Sequence, residues 1–157
     1  MESNKAHTVE AQMLIRKPVE QVFQALTDPE ITTNFWFTKS TGKLEAGKTV
    51  KWEWEMYQVS TNVFVKEIIP NKRISIEWNE RASSVDFEFT PLKDSTTYVV
   101  IRNFGFAETD DDLIEAIKDS TGGFTTVLDG MKAYLEHNIN LRLIEDKFPK
   151  EMKNHGH

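Results

Sequence analysis

The strongest constraint on the fold is a change in apolar spacing along the chain. From about residue 48 to residue 104, apolar and polar residues alternate in short runs separated by turn-forming residues. Such alternation is typical of β-strands with one covered face and one solvated face. After residue 110 the apolar residues instead recur every three or four positions, which is typical of an amphipathic helix. The pattern predicts a β-sheet followed by one long helix.

The predicted strands are joined by short turns such as Pro70–Lys72 and Pro91–Ser95, which favours antiparallel pairing. They cover residues 8–16, 48–56, 58–69, 74–78, 85–89 and 96–104, with a further short strand near Gly42 and Gly47. The sequence therefore predicts a sheet of six to seven strands.

Two short helices are predicted between the first strand and the others. Apolar residues after Pro18 have helical spacing, at Val19, Val22, Phe23 and Leu26. A second helix of about two turns is predicted to begin at Asp28-Pro29 and to run towards Trp36, because Asp28 suits a helix cap and Pro29 the first helical position.

The last helix is predicted over roughly residues 111–140, with a weak point or a bend at Gly122-Gly123. The acidic residues 110–112 suit its N-terminus, and the polar tail 147–157 is predicted to be frayed. A sheet with one apolar face is covered most simply by such a helix lying across it. The fold class predicted is α+β, with a curved antiparallel sheet wrapped around the C-terminal helix in a helix-grip arrangement.

Composition narrows the function. The 157 residues fit a single domain, 1–157, with an ordered core at about 8–140. A net charge of −6 argues against nucleic acid as a partner, and the lack of cysteine excludes disulfides and thiolate chemistry. No signal peptide and no apolar stretch of roughly 18 residues are found. The sequence therefore predicts no membrane span and a cytoplasmic location.

Several segments together resemble a known family. They are PVEQVFQALTDPE at 18–30, the following Trp36, NFGF at 103–106 and GGFTTVLDGMKAYLE at 122–136. This combination resembles the activator-of-heat-shock-protein-ATPase-like (AHSA-like) family of the START-like (SRPBCC) superfamily, which includes polyketide cyclases. The resemblance spans about residues 8–140 and implies a helix-grip fold with a deep cavity for hydrophobic molecules. One departure is Gly123-Phe124, where the family usually has Gly-Trp, so this position lacks an indole N–H donor.

The stretch KWEWEM at 51–56 offers two candidate sites. Glu53 and Glu55 would lie about 6–7 Å apart on one strand face, near the range of paired carboxylates in glycosidases. Because exposed indoles are less favourable than exposed carboxylates, Trp52 and Trp54 are predicted to face inward and the glutamates outward.

The inward side chains form a candidate ligand-binding surface. It comprises Trp36, Trp52, Trp54, Val63, Val65, Ile76, Trp78, Phe87, Phe89, Ile101, Asn103, Phe124 and Leu128. A dry packed core is the alternative for any one of the apolar members. Asn103 is predicted to orient a ligand, since its amide both donates and accepts, or else to make turn hydrogen bonds at the strand end. Trp36 either hangs over the cavity mouth or fills the interface of the short helices.

No catalytic or metal-binding constellation is recognisable. The four histidines, His7, His137, His155 and His157, show no ligand spacing, and neither a nucleophile elbow nor a phosphate-binding loop occurs. No cofactor is predicted. The predicted function is binding of a small hydrophobic or amphipathic molecule. The alternatives are a cyclase or hydrolase that uses the same cavity and an interaction module for a chaperone or a transcription regulator.

Overall fold

The computed structural model describes residues 7–78, 83–149 and 151. The strands are β1 (Val9–Ile15), β2 (Lys39–Ser40), β3 (Thr49–Trp54), β4 (Val59–Ile69), β5 (Arg73–Trp78), β6 (Ser83–Leu92) and β7 (Thr96–Phe104). They form one seven-stranded sheet in the order β1-β7-β6-β5-β4-β3-β2, with antiparallel neighbours throughout. The predicted antiparallel sheet is therefore confirmed.

The helices of the described chain are α1 (Val19–Thr27), α2 (Pro29–Thr32), α3 (Asp110–His137) and α4 (Leu143–Lys147). The predicted start of α2 is confirmed, because the Asp28 carboxylate accepts the Glu30 N–H at 3.0 Å and Pro29 takes the first position. The helix is one turn shorter than predicted. Just beyond its end, the Asn34 side-chain amide donates to the carbonyls of Glu30 and Ile31, at 3.0 and 3.1 Å.

One face of the sheet packs against α3, and together they enclose the core. The inward residues of the central strands are almost fully buried: Val63, Val65, Ile74, Ile76, Val85, Phe87, Val99 and Ile101 are each at most 1% exposed. A register shift between Val65 and Glu67 marks a bulge in β4, which bends a strand locally. The predicted helix-grip arrangement, with two short helices after the first strand, is confirmed.

The strand that carries KWEWEM ends earlier than predicted. Extended structure stops at Trp54, and Glu55–Tyr57 form one turn of 3-10 helix. Glu55 is exposed and Glu53 half-buried, whereas Trp52 is 1% exposed. The inward placement of Trp52 is therefore confirmed. Because Glu55 has left the strand, the two carboxylates do not form the pair on one strand face that a glycosidase-like reading requires.

Helix α3 runs without interruption through Gly122-Gly123 and ends at His137 rather than at residue 140. The end is set by Asn138, which adopts a left-handed conformation (φ 57°) that asparagine tolerates. The short helix α4, which follows, was not predicted. Of the tail predicted to be frayed, residues 150 and 152–157 lie outside the described chain.

The C-terminal half of α3 is tied to the end of β1. Glu136 Oε2 accepts hydrogen bonds from Arg16 N and from Lys132 Nζ, both at 2.7 Å, and Lys132 Nζ also donates to Leu14 O at 2.9 Å. Burial acts to raise the pKa of Glu136, but the hydrogen bonds from Lys132 and Arg16 outweigh it and lower that pKa. Buried residues of α3 begin only at Phe124. The first half of the helix is thus less closely packed, and this half borders the cavity.

Candidate functional site

A cavity of about 570 Å³ lies where the first half of α3 meets the ends of three strands and α4. Its lining residues are Trp36, Trp54, Trp78, Asn103, Lys118, Asp119, Ser120, Gly122, Gly123, Phe124, Val127, Ile144, Lys147 and Phe148. Aromatic and aliphatic side chains form most of this wall, and a few polar groups are placed among them. Such a lining is typical of sites for small organic molecules.

The sheet topology brings three of these residues to one end of the sheet. Trp54 and Trp78 are the last residues of β3 and β5, and Asn103 is the last but one of β7. Alternate strands of an antiparallel sheet run in the same direction, and β3, β5 and β7 are alternate strands in the observed order. Their C-terminal ends therefore lie at the same end of the sheet, beneath α3.

Three aromatic rings form the innermost wall. Trp78 stacks on Phe124, with ring centroids 5.6 Å apart and planes inclined by 19°. Trp36 meets both rings edge-on, at 6.3 Å from Trp78 and 6.0 Å from Phe124, and its other contacts include Trp52 at 4.9 Å. Trp36 is 7% exposed, so it lines the inner part of the cavity and fills the core beside it rather than hanging over the mouth.

Asn103 forms the polar end of the cavity. Its side chain is held by three hydrogen bonds: Nδ2 donates to Ser84 O at 2.8 Å and to Ser83 Oγ at 3.4 Å, and Oδ1 accepts from Ser120 Oγ at 2.7 Å. Trp78 Nε1 donates to the same Ser83 hydroxyl at 2.9 Å. Both N–H groups of the Asn103 amide therefore donate within the protein. Asn103 Oδ1 and Ser120 Oγ can still accept a hydrogen bond from a ligand.

The mouth of the cavity is bordered by exposed residues: Lys118, Asp119, Lys147 and Phe148. A Cβ placed on Gly122 would lie 3.5 Å from Lys147 Nζ, so the ammonium group lies close against this part of α3. Lys118 pairs with Glu115 across 3.4 Å on the helix surface. Two cations, Lys118 and Lys147, and one carboxylate, Asp119, thus belong to the lining at the entrance, and the Glu115 carboxylate lies beside it.

Helix α4 is fastened over the cavity by a tyrosine. Tyr57 Oη donates to Ile144 O at 2.8 Å and to Glu145 O at 3.3 Å. Burial raises the pKa of Tyr57, and the nearby Glu145 carboxylate raises it further. The hydroxyl therefore stays protonated and able to donate.

Five of the thirteen predicted site residues line the cavity, namely Trp36, Trp54, Trp78, Asn103 and Phe124. The other eight, Trp52, Val63, Val65, Ile76, Phe87, Phe89, Ile101 and Leu128, are at most 4% exposed in the adjoining core. Asn103 makes hydrogen bonds at the strand end, as one of its two predicted roles requires, and its role in orienting a ligand stays a prediction.

The sequence reasoning missed part of the lining. Ser120 precedes Phe124 by four positions on α3, and this spacing places the two on one helix face, a signal that was available. Ile144, Lys147 and Phe148 belong to or follow a five-residue helix, too short to show a helical period. In the described chain no group of three or more acidic or histidine side chains is arranged to hold a metal ion. His155 and His157 lie outside it.

A seven-stranded antiparallel sheet packed against a long C-terminal helix, with a cavity between them, defines the helix-grip class of START-like proteins. Residues 16–136 match the family model described as "Activator of Hsp90 ATPase homolog 1-like protein", and the chain belongs to this family. The family resemblance noted in the sequence is thereby confirmed. Its fold family commonly binds hydrophobic ligands.

Solved structures share the fold. Protein SSP2350 from Staphylococcus saprophyticus is 27% identical, with a TM-score of 0.76 over 86% of this chain and 96% of that one. DynU16, a protein of the dynemicin biosynthetic locus, is 14% identical, with a TM-score of 0.74 over 85% of this chain and 49% of that one. The Aha1 dimer from Colwellia psychrerythraea is 20% identical, with a TM-score of 0.70 over 83% and 96%.

No curated protein sequence matches this chain significantly. Among the helices of the described residues, none has the length and apolar character needed to cross a membrane.

Proposed function

We propose that this protein binds a small hydrophobic or amphipathic molecule in the cavity between α3 and the sheet. The observation that supports this most directly is the cavity itself, about 570 Å³ in volume, within the range of roughly 300–1,000 Å³ usual for ligand sites. Its wall is mainly aromatic, and its polar groups are concentrated at Asn103, Ser120 and the mouth.

The physical basis of affinity is removal of apolar surface from water. Each 100 Å² of ligand surface buried against Trp36, Trp78 and Phe124 contributes about 2.5 kcal/mol before the costs of association. The acceptors at Asn103 and Ser120 add orientation, because a guest with a hydroxyl or N–H at its inner end makes a hydrogen bond there and a purely apolar guest does not.

The proposal is tested by a titration followed by NMR, with uncharged aromatic and aliphatic molecules as ligands. We expect shift changes at the indole signals of Trp54 and Trp78 and at Phe124. Gly123→Phe is the blocking variant, because Gly123 lines the cavity and an added Cβ meets no atom within 4 Å. Thr125→Phe, which adds the same ring at an exposed position of α3, is the matched control.

Binding should be lost in Gly123→Phe and kept in Thr125→Phe. If no compound of the series shifts these signals in the unaltered protein, or if Gly123→Phe binds as tightly as the unaltered protein, the proposal is wrong.

The alternative functions have less support. For a cyclase or hydrolase, Ser120 is the cavity hydroxyl, but it donates to an amide oxygen rather than to a base that would activate it. A chaperone partner rests on the family name and on one similar structure of an Aha1 protein at 20% identity. Both remain predictions, as does the cytoplasmic location.

A further inference from the structure

We propose that the bound molecule is an anionic amphipath, with its apolar body inside the cavity and a carboxylate at the mouth between Lys118 and Lys147. The inference rests on the proposed function and specifies the chemical class and the orientation of the ligand. It is carried by three features: the position of the two ammonium groups, the charge at the mouth, and the acceptor character of the inner end.

The two lysines belong to different helices and both line the same cavity. Lys118 and Gly122 are four positions apart on α3 and so lie on one helix face, about 5–6 Å apart at the backbone. Lys147 approaches from α4 and places its Nζ 3.5 Å from where a Cβ of Gly122 would be. The missing side chain at Gly122 leaves the space that the Lys147 ammonium group borders. Lys147 thus reaches the entrance beside Gly122, and Lys118 lines the same entrance from one turn earlier on α3.

The charged residues of the lining favour an anion. Lys118 and Lys147 outweigh Asp119 among the lining side chains, in a chain whose net charge is −6. The Lys118–Glu115 pair joins two exposed side chains, 67% and 65% accessible, and such surface pairs contribute little. Lys118 can therefore exchange Glu115 for a ligand carboxylate at small cost.

The Asn103–Ser120 pair at the inner end of the cavity disfavours the opposite orientation. A buried carboxylate needs hydrogen-bond donors, but both N–H groups of the Asn103 amide already donate to Ser84 O and Ser83 Oγ. The Ser120 hydroxyl also donates, to Asn103 Oδ1. The Asn103–Ser120 pair thus offers oxygen acceptors, which repel an anion, whereas the cations of the lining, Lys118 and Lys147, are at the mouth.

The test uses three ligands of equal chain length: dodecanoate, methyl dodecanoate and dodecanol. Calorimetric titration at low ionic strength is expected to show dodecanoate binding more tightly than the two neutral ligands. Lys118→Gln and Lys147→Gln should each weaken dodecanoate by roughly threefold, and the double variant by about tenfold. None of these lysine variants should change the affinity for methyl dodecanoate. Lys48→Gln, at an exposed lysine outside the cavity lining, is the control for overall charge.

The outcomes separate this inference from the function on which it rests. If the ester binds as tightly as the acid, or if the lysine variants weaken both ligands equally, the anionic inference is wrong while binding of apolar molecules stands. If none of the three ligands binds, the anionic inference is overturned, and the uncharged series with Gly123→Phe then decides the broader proposal on its own. Added salt should reduce the preference for the acid, because the lysines are exposed to solvent.

Discussion

Ser120 on α3 donates a 2.7 Å hydrogen bond to the side-chain oxygen of Asn103 near the end of β7. The same amide donates to the backbone of Ser84 on β6 at 2.8 Å. One buried side chain, 3% exposed, therefore links a helix and two strands at the inner end of the cavity. We expect it to stabilise the fold as well as to present an acceptor to a ligand.

The variant Asn103→Ala tests this link. It leaves the Ser84 carbonyl and the Ser120 hydroxyl without their partner, so we expect a loss of about 1–3 kcal/mol in the free energy of unfolding. Ser120→Ala should cost about 0.5–1.5 kcal/mol. In urea titrations the double variant should lose less than the sum of the two. Strictly additive losses would show that the two side chains do not interact in solution.

Tyr57→Phe should loosen α4 without disturbing the sheet. The change removes a hydroxyl whose single proton is shared between the carbonyls of Ile144 and Glu145, an interaction worth about 0.5–1.5 kcal/mol. We expect faster amide hydrogen exchange at residues 143–147 and unchanged exchange at the central strands. Tyr98→Phe removes a hydroxyl from an exposed tyrosine, 38% accessible, and should leave α4 unaffected. Equal exchange at α4 in all three proteins would contradict the prediction.

Glu136 should make stability depend on acid pH. Its pKa is lower in the folded protein than its ordinary value of 4.5, so the unfolded chain binds more protons in this range. The stabilisation is present above pH 4.5 and is lost as the pH falls through the lowered pKa.

The check is to compare the urea midpoints of the unaltered protein and Glu136→Gln between pH 7 and pH 3. The difference between them should shrink at the acid end. Glu108→Gln, at an exposed residue, is the control and should follow the unaltered protein. A constant difference over the whole range would rule out this role for Glu136.

Two glycines of α3 should respond differently to alanine. At Gly123 an added Cβ meets no atom within 4 Å, whereas at Gly130 it lies 3.3 Å from Phe35 Cβ and 3.4 Å from Phe35 O. Alanine is favoured over glycine inside a helix by up to about 1 kcal/mol. Thermal unfolding should therefore show Gly123→Ala as the more stable of the two variants. The reverse order would mean that the space beside Gly123 is filled in solution.

The sequence predicted which side chains face the inside of the fold better than it predicted which of them line the cavity. Alternation at Val85, Phe87 and Phe89 correctly indicated an inward face, because a strand points successive side chains to opposite sides. The same alternation made Phe87 and Trp78 equivalent, yet Phe87 is in the dry core and Trp78 lines the cavity. Which inward residue borders empty space depends on how side-chain volumes fill the gap beneath α3, and alternation carries no information on that.

The contribution of α4 to the cavity wall could not be predicted from the sequence, for a different reason. Its five residues hold one apolar pair, Leu143-Ile144, which gives no periodic pattern. Its position depends on Tyr57, 87 residues earlier in the chain than Ile144. The two-residue strand Lys39–Ser40 was likewise too short to locate, since pairing with Trp52 and Glu53 defines it.

The family match ends at residue 136, whereas α4 begins at Leu143. The matched part of the chain, residues 16–136, supplies strands β2 to β7 and nearly all of α3, and with them the aromatic interior. Ile144 and Lys147 come from a segment beyond it. Substitutions at Ile144 and Lys147 can therefore change selectivity for the outward end of a guest without altering the aromatic residues that surround the rest of the molecule.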